Sequence, residues 1–342
     1  MNKHIFITGA GGYIGSRMVF TFLQKGYIVT ALDRYFFGDV FEDIKKNKSL
    51  TIIKDDIRSF DQDLLKNVDI MINLASISND PSSEINPKIT KDINYKGAVR
   101  IARLAKNMGV SKYIFSSSCS VYGGGKDLFD EKSETFPIST YAKSKISAEK
   151  ELLKLADENF SVIILRNSTV YGLSEKRMRF DLILNIMTLH AWQNNKVYIM
   201  GGGKQWRPLI HIDDCINAFL RIAEENNLKK INGQVFNVGS NEQNFKVYEV
   251  AEKIKEHFPN LIIENVPDDP DKRSYKVNFD KIQNTLEFRV QKNIGNGIEE
   301  IKNALTKGAI KDDIKTHTLQ YYQYLFFDKN VLKSLLIRGK IL

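Results

Sequence analysis

The stretch Lys3-His4-Ile5-Phe6-Ile7-Thr8-Gly9-Ala10-Gly11-Gly12-Tyr13-Ile14-Gly15 decides the fold of this chain. Residues 3–8 form a short apolar, β-prone run, which predicts a strand. The glycines at positions 9, 12 and 15 predict a tight turn, and residues 16–25 predict a helix that Gly26 ends. This order places the start of a helix directly behind a glycine turn, where backbone N–H groups can hold a phosphate.

An acidic residue ends the next apolar run. Residues 27–32 predict a second strand, and Asp33 follows it, 18 residues after Gly15. In this arrangement the glycines admit a pyrophosphate, and the carboxylate bonds the adenosine ribose hydroxyls. Asp33 would repel a 2′-phosphate, so we expect NAD rather than NADP, a preference that Arg34 weakens. The residues expected to contact the cofactor here are Gly9, Gly12, Tyr13, Ile14, Gly15 and Asp33.

Strands and helices continue to alternate after Asp33. Repeated βα units predict an α/β fold with a doubly wound parallel (Rossmann) sheet, whose ligands bind at the carboxyl ends of the strands. Polar residues follow the strands there, among them Asp56 and Arg166. The predicted elements are strands at 50–54, 68–74, 112–117 and 161–166 and a long helix at 87–108.

The regular alternation stops after residue 167. We expect residues 1–167, with 212–240 returning to them, to form an NAD-binding domain. Residues 168–211 and 241–342 are expected to form a smaller mixed α/β substrate lobe and a C-terminal tail. The patterns in this half predict helices at 180–194, 212–225 and 248–258 and strands at 197–200, 234–238 and 261–266.

The tail, residues 316–342, is rich in aromatic and aliphatic side chains. It could be an amphipathic element for a membrane or a partner. We favour the alternative that it packs against the second lobe or another subunit.

The composition is that of an ordinary globular protein. The chain has 342 residues, 42% of them hydrophobic and 27% charged, and no apolar run of membrane-spanning length. The net charge is +9, but the lysines are scattered among acidic residues and no nucleic-acid motif is present, which favours a solvated surface. The two cysteines, Cys119 and Cys215, lack metal-site spacing and fit a reducing cytoplasm, so we expect a cytoplasmic protein without a metal site.

Tyr141 and Lys145 are four residues apart, in a stretch that predicts a helix capped by Ser139 or Thr140. On one helix face, the Lys145 cation would favour the phenolate and lower the pKa of Tyr141 towards neutrality. Such a pair can act as acid and base. Because tyrosine and lysine often fall at this spacing by chance, the pair gains its meaning from the rest of the chain.

The fifth predicted strand ends in Phe115-Ser116-Ser117-Ser118-Cys119-Ser120-Val121-Tyr122-Gly123, and Tyr141 follows Ser118 by 23 residues. With the glycine turn, this resembles the extended short-chain dehydrogenase/reductase family, and its nucleotide-sugar epimerases and dehydratases match best. The resemblance covers nearly the whole chain. It implies a catalytic triad of Ser118, Tyr141 and Lys145. Further cofactor contacts are implied for Asp56, Ile57, Leu74, Ala75, Ser116, Tyr141 and Lys145.

The resemblance also implies a mechanism. Lys145 would bond the nicotinamide ribose, and its charge and that of the nicotinamide ring would lower the pKa of Tyr141. Tyr141 would take the proton of the sugar C4 hydroxyl while a hydride leaves C4 for NAD, which gives a keto sugar. Ser118 would bond the same oxygen; alternatively, as a strand-end serine, it would cap the turn that follows.

Two stretches of the second half resemble the family's substrate-binding segments. Residues 206–214 resemble an Arg-x-x-x-His-x-x-Asp stretch whose arginine contacts the sugar-nucleotide diphosphate, and residues 268–275 resemble one that supplies a second arginine. A guanidinium fork suits a diphosphate because it bonds two oxygens at once. A surface ion pair is the alternative for Arg207, and for His211 we favour a structural role, with Asp213 capping the next helix. The expected substrate contacts are Ser118, Asn167, Arg179, Arg207 and Arg273.

Three positions bear on the fate of the oxidised sugar. The family's dehydratases carry Asp-Glu where this chain has Cys119 and Ser120, which disfavours 4,6-dehydration. The family's 3,5-epimerase/reductases place a cysteine at the position of Ser120, so we expect Cys119 to be a buried thiol without a catalytic role. The 4-epimerases often have Asn where this chain has Thr169.

Residues 176–182 more faintly resemble bacterial surface-polysaccharide enzymes, and Arg177 and Arg179 would contact the nucleotide or belong to a solvated loop.

We expect an NAD-dependent nucleotide-sugar oxidoreductase acting at C4, most simply a 4-epimerase in surface-polysaccharide sugar biosynthesis. The alternatives are a deoxyhexose or heptose 4-dehydrogenase or 4-keto-reductase with net redox change, and a non-catalytic NAD-binding regulatory protein. The expected partners are a nucleotide-diphosphate sugar and a second copy, through the helices of 88–108 and 141–157. We expect a homodimer or higher homo-oligomer, with no nucleic acid and no membrane insertion.

Overall fold

Seven parallel strands form the central sheet in the computed structural model, which describes residues 2–268, 271, 273–327 and 335–337. In chain order the described strands are β1 His4–Thr8, β2 Ile28–Asp33, β3 Leu50–Lys54, β4 Ile70–Asn73, β5 Lys112–Ser118, β6 Gly124–Phe129, β7 Ser161–Asn167, β8 Thr169–Tyr171, β9 Lys196–Met200, β10 Trp206–His211, β11 Gln234–Val238, β12 Asn244–Lys246, β13 Ile262–Val266 and β14 Ser274–Val277. The central sheet has the order β11-β7-β5-β4-β1-β2-β3, which confirms the predicted doubly wound parallel fold.

The α-helices cover both faces of this sheet and build the second half. They are α1 Tyr13–Gln24, α2 Asp80–Ser83, α3 Pro87–Lys91, α4 Ala98–Asn107, α5 Thr140–Leu153, α6 Ile183–Asn194, α7 Ile212–Glu224, α8 Leu228–Ile231, α9 Val247–His257, α10 Asp280–Leu286, α11 Ile294–Thr306 and α12 Thr318–Phe327. None of the described helices is long and apolar enough to cross a membrane.

Alternate residues of the central strands enter two separate cores, as a strand buried on both faces requires. In β1, Ile5 and Ile7 pack with α1 and α7 on one face, whereas Phe6 packs with α4 and α5 on the other. The strands that carry the expected site residues are therefore held from both sides, and their carboxyl ends meet at one edge.

The predicted long helix at 87–108 is present but is not a regular α-helix. A π-helical segment, Asp92–Gly97, separates α3 from α4. The helix predicted from residue 180 begins only at Ile183, because the Phe180 N–H bonds the Thr316 carbonyl and so leaves the helical path.

Three small sheets complete the fold, in the orders β12-β10-β8, β13-β9 and β14-β6. The last pairs a strand of the first half with the segment that carries Arg273. Between them, these sheets and the carboxyl edge of the central sheet enclose a cleft. The proposed division into two domains stays a prediction.

Helix α12 contacts both halves of the chain, since Thr318 bonds Arg177 and Asp181 and the following aromatic residues pack on the first half. Tyr321, Tyr322 and Leu325 form a hydrophobic cluster with Ile77, and Phe36 and Phe37 pack against it. The expectation that the tail packs on the second lobe or on another subunit was incomplete, because it did not include this apolar surface, which is formed by residues that follow β2 and β4. Residues 328–334 and 338–342 of the tail lie outside the described residues.

Candidate active site

The carboxyl edge of the central sheet opens into a cavity of about 950 Å³. Every residue predicted from the sequence to be catalytic, cofactor-binding or substrate-binding lines this cavity, from Gly9 at one end to Arg207 and Arg273 at the other. The cavity also exposes residues that the sequence reasoning missed, among them Asp80, Tyr275 and Tyr322. The predicted residues therefore form one site.

The glycine turn leaves room for a phosphate at the start of α1. Gly9 has φ +73°, and a Cβ there would lie 2.6 Å from the Ala75 nitrogen. A Cβ on Gly15 would lie 2.2 Å from the Gly9 carbonyl oxygen, so neither position admits a side chain. Gly12 precedes α1 without a side-chain cap, which leaves the first N–H groups of the helix for an anion. This cradle fits the pyrophosphate of the expected dinucleotide.

Asp33 lies beside this cradle, as the sequence predicts. Its carboxylate accepts hydrogen bonds from the N–H groups of Gly11 at 3.1 Å and Tyr35 at 2.6 Å. Burial raises the pKa of Asp33, although these backbone bonds oppose the rise. The neighbouring Arg34 donates instead to Asp56 and to the Leu335 carbonyl, each at 2.5 Å. The weakening of the NAD preference that we expected from Arg34 thus loses its physical basis.

Asp56, the expected adenine contact, is held by two arginines. Arg58 donates to its carboxylate from Nε at 2.9 Å and from a terminal nitrogen at 2.6 Å, in addition to Arg34. Burial alone would raise the pKa of Asp56, but the bonds and charges of Arg58 and Arg34 outweigh it and hold the pKa at about 2. The Asp56 carboxylate is therefore an anchored anion at the cavity wall.

Helix α5 presents Tyr141 and Lys145 on one face, as the four-residue spacing predicts. Ser139 caps the helix by accepting the Ala142 N–H at 3.1 Å. The Lys145 ammonium lies 5.5 Å from the centre of the Tyr141 ring. It donates a hydrogen bond to the Ser116 carbonyl at 2.8 Å, which ties the helix to the end of β5.

Taken together, the protein's own groups raise the pKa of Tyr141, whereas the spacing with Lys145 predicted that it is lowered. Burial raises the pKa of this tyrosine, the Asp80 carboxylate adds to the rise, and a hydrogen bond from Ser118 opposes it. Burial also lowers the pKa of Lys145 to about 7, against the charge of Glu149. The four-residue spacing takes account of the charge of the lysine but not of the desolvation of both groups, and the lowering by a bound nicotinamide stays a prediction.

Ser118 has the capping role that the sequence offered as one alternative, whereas its bond to the sugar oxygen stays a prediction. Its Oγ accepts the Ser120 N–H at 3.1 Å and so caps the turn after β5. Its hydroxyl also lies near enough to Tyr141 to oppose the rise in the pKa of that group. Asn167 lies beside it and donates to the Ser116 hydroxyl at 3.0 Å, while its buried Oδ1 has no partner among the described residues.

A buried ion pair supports the catalytic helix from beneath. Arg166 of β7 holds Glu149 of α5 through two nitrogens, the shorter contact being 2.7 Å, and the Ser117 hydroxyl donates to the same carboxylate at 2.5 Å. Sequence reasoning missed this pair, although Glu149 falls one helical turn after Lys145. The pair joins α5 to β5 and β7, which carry Ser118 and Asn167.

The arginines expected to bind the diphosphate lie at the far end of the cavity, each beside a carboxylate. Arg207 is 7% exposed and donates to Asp271 at 2.9 Å, so it is not a surface ion pair. Arg273 grips Asp271 through Nε at 2.7 Å and a terminal nitrogen at 2.5 Å. Arg179 holds Asp181 in the same two-bond manner, at 2.9 and 2.7 Å.

His211 has the structural role that we favoured, whereas Asp213 does not cap α7. His211 is fully buried, its Nδ1 accepts the Asp213 N–H at 3.2 Å, and its Nε2 lies 2.9 Å from Glu300. The Asp213 carboxylate pairs with Arg17 instead. His211, Asp213 and Glu300 are spaced as metal ligands could be. Each of these three side chains already has a hydrogen-bond or ion-pair partner in the protein, and these partners explain why the three lie together.

Comparisons with known proteins show which proteins this chain is similar to. A model of the NAD dependent epimerase/dehydratase family matches residues 5–239. The UDP-N-acetyl-alpha-D-glucosaminuronate decarboxylase of Bacillus cytotoxicus is 26% identical over 83% of this chain and 88% of its own. The UDP-glucuronate 4-epimerase of Thermodesulfobacterium geofontis is 26% identical over 81% of this chain and 84% of its own. The solved structure of MoeE5 in complex with UDP-glucose and NAD is 25% identical, with a TM-score of 0.78 over 90% of this chain and 100% of that chain.

Proposed function

The chain belongs to the NAD dependent epimerase/dehydratase family, and from this premise we propose that it is a 4-epimerase of a nucleotide-linked sugar. It is an NAD-dependent enzyme that modifies nucleotide sugars. In the proposed reaction the C4 hydroxyl is oxidised to a ketone, and the hydride then returns to the opposite face of the sugar. The proposed setting is the synthesis of sugars for surface polysaccharides.

The arrangement of Ser118, Tyr141 and Lys145 in one cavity with the arginines carries this proposal. Tyr141 takes the proton of the C4 hydroxyl, and Ser118, which contacts it, holds the same oxygen. Lys145, fixed on the Ser116 carbonyl, has further N–H groups for ribose hydroxyls. When bound, NAD accepts the hydride from C4. Arg207 and Arg273 hold the diphosphate.

The residues after Ser118 favour epimerisation over dehydration. Cys119 is 1% exposed, donates to the Arg166 carbonyl at 3.1 Å, and has its pKa raised by burial. A thiol in this state does not serve as an acid for a leaving hydroxyl. Ser120 supplies no carboxylic acid either. Dehydration of the keto sugar therefore lacks an acid at these two positions, which leaves its reduction as the fate that we propose.

Product analysis tests the proposal. The purified protein is incubated with NAD and UDP-glucose, UDP-galactose or UDP-glucuronate, and with GDP- and dTDP-linked hexoses. We expect interconversion of one C4 epimer pair without accumulation of NADH. Stoichiometric NADH formation, or steady NADH consumption by a keto sugar, would favour the 4-dehydrogenase or 4-keto-reductase instead.

The assembly of the protein stays a separate proposal. We propose a homodimer that pairs the helices of residues 88–108 and 141–157 of two copies, and light scattering at several concentrations tests it. A mass of one chain at all concentrations would contradict it.

A further inference from the structure

Asp80 contacts both the start of the catalytic helix and Arg273, although no sequence motif points to it. It opens α2 and lines the cavity. One carboxylate oxygen accepts the hydroxyl of Ser139, and the other forms an ion pair with Arg273. Asp80 thus connects the cap of the catalytic helix with an arginine 193 positions later in the chain.

The contact with Ser139 places Asp80 at the start of α5. Ser83 of the same short helix accepts the Tyr141 N–H at 3.0 Å, and Glu84 accepts the Thr140 N–H at 2.7 Å. The Asp80 carboxylate is close enough to raise the pKa of Tyr141. The other groups that face Tyr141 are Ser118, Arg179, Tyr275 and Lys145.

The contact with Arg273 completes the neutralisation of the two arginines that are expected to bind the diphosphate. Arg207 and Arg273 carry two positive charges, and Asp271 and Asp80 carry two negative ones, so these four side chains have no net charge. Asp271 holds Arg273 through two bonds and belongs to the same segment. Asp80, which belongs to a distant segment of the chain, makes one bond to Arg273. A diphosphate that needs the guanidinium displaces the partner with the single bond most readily.

We infer that Asp80 is a counter-ion that the diphosphate of the substrate displaces from Arg273, so that substrate binding leaves an unpaired carboxylate beside Tyr141. This inference rests on the proposed function. An unpaired carboxylate there increases the proton affinity of the phenolate. Diphosphate binding at Arg273 thereby raises the proton affinity of Tyr141, and Asp80 is a positioning residue for proton transfer from the C4 hydroxyl.

Asp80→Asn tests the displacement without requiring turnover. Calorimetric titration with UDP, GDP and dTDP is carried out on the holoenzyme, wild type and variant. Because the amide competes less well for the guanidinium, the nucleoside diphosphate that binds the wild type is expected to bind the variant about tenfold more tightly. Glu84→Gln is the matched control, since Glu84 bonds the same helix start without bonding Arg273, and its affinity is expected to equal that of the wild type.

The pH dependence of turnover tests the link to Tyr141. The pH profiles of kcat and of kcat/KM should each contain a limb that reports the titration of Tyr141. In the wild type this limb is expected at higher pH in the kcat profile than in the kcat/KM profile, because kcat reports the substrate complex and kcat/KM the free enzyme. In Asp80→Asn both limbs are expected to coincide and to lie about one pH unit lower than the wild-type kcat limb. In Arg273→Gln, where Asp80 is always unpaired, the kcat/KM limb is expected to rise to the wild-type kcat limb. Thermal melting checks that each variant is folded.

The outcomes separate this inference from the proposed function. Unchanged diphosphate affinity in Asp80→Asn, with an active wild type, would overturn the role of Asp80 and leave the epimerase proposal intact. Tighter binding in the variant, with no nucleotide sugar converted by the wild type, would keep the role of Asp80 and remove the C4 reaction. A wild type that binds none of the three diphosphates would overturn both.

Discussion

The ammonium group of Lys145 lies 5.5 Å from the centre of the Tyr141 ring and is bonded to the Ser116 carbonyl rather than to the phenol. Burial favours the neutral form of each group, since it raises the pKa of Tyr141 and lowers that of Lys145 to about 7. We therefore propose that the lysine acts on the tyrosine through the ribose of the bound nucleotide.

Tyr141→Phe is expected to remove most of the turnover without weakening cofactor binding. The variant keeps the ring but loses the only proposed proton acceptor for the C4 hydroxyl, and general-base catalysis is typically worth about 10² to 10⁴ in rate. The measurements are turnover of the nucleotide sugar and fluorescence titration with NAD. Turnover within tenfold of the wild type would argue for the non-catalytic alternative or another base.

The buried amine of Lys145 is expected to make stability rise with pH. Its folded-state pKa of about 7 lies below the ordinary value for lysine, so between the two values the unfolded chain binds more protons than the folded one. Relative to Lys145→Met, the wild type should gain about 2 kcal/mol of unfolding free energy between pH 7 and pH 9. Urea unfolding at both pH values measures this gain. Lys143→Met, at an exposed position of the same helix, should show no such change, and an equal effect of both substitutions would contradict the assignment to Lys145.

Glu149→Gln is expected to destabilise the fold strongly. The substitution leaves the charge of buried Arg166 without its partner, and removal of one member of a buried ion pair costs about 3–5 kcal/mol. Chemical unfolding of the variant measures the loss. Glu151→Gln is the control because its partner Lys154 is exposed, and its stability should not change measurably. Equal stability of the two variants would show that the pair beneath α5 contributes little.

Tyr322→Ala is expected to weaken NAD binding by about tenfold, because Tyr322 lines the same cavity as Asp33 and belongs to the hydrophobic cluster that seats α12. Tyr324→Ala provides the comparison, since Tyr324 lies on the same helix but is 44% exposed. Titration with NAD should distinguish the two variants. If both retain wild-type affinity, α12 is not part of the cofactor site.

Local spacing explains what could be predicted from the sequence. The glycine turn, Asp33 and the pair Tyr141 and Lys145 lie within short segments whose strand or helix geometry places them at one edge of the sheet. The parallel order of the central strands follows from the alternation of βα units in the same way.

Contacts between distant segments explain what could not be predicted. Asp80 meets Arg273 across 193 positions, and Arg34 meets Leu335 across 301, so no periodicity points to either contact. The direction of the pKa shift of Tyr141 also depends on burial, which the four-residue spacing does not encode. The roles of Asp80 and α12 therefore emerged only once the chain was folded.

A nucleotide sugar that carries deuterium at C4 tests the central claim most directly. We predict that the product with inverted C4 retains the deuterium at C4, with no net formation of NADH, because the hydride leaves and returns at the same carbon within one binding event. Mass spectrometry and NMR of the product measure the label. Loss of deuterium from C4 to solvent, or its accumulation in free NADH beside a keto sugar, would contradict epimerisation through a bound 4-keto sugar.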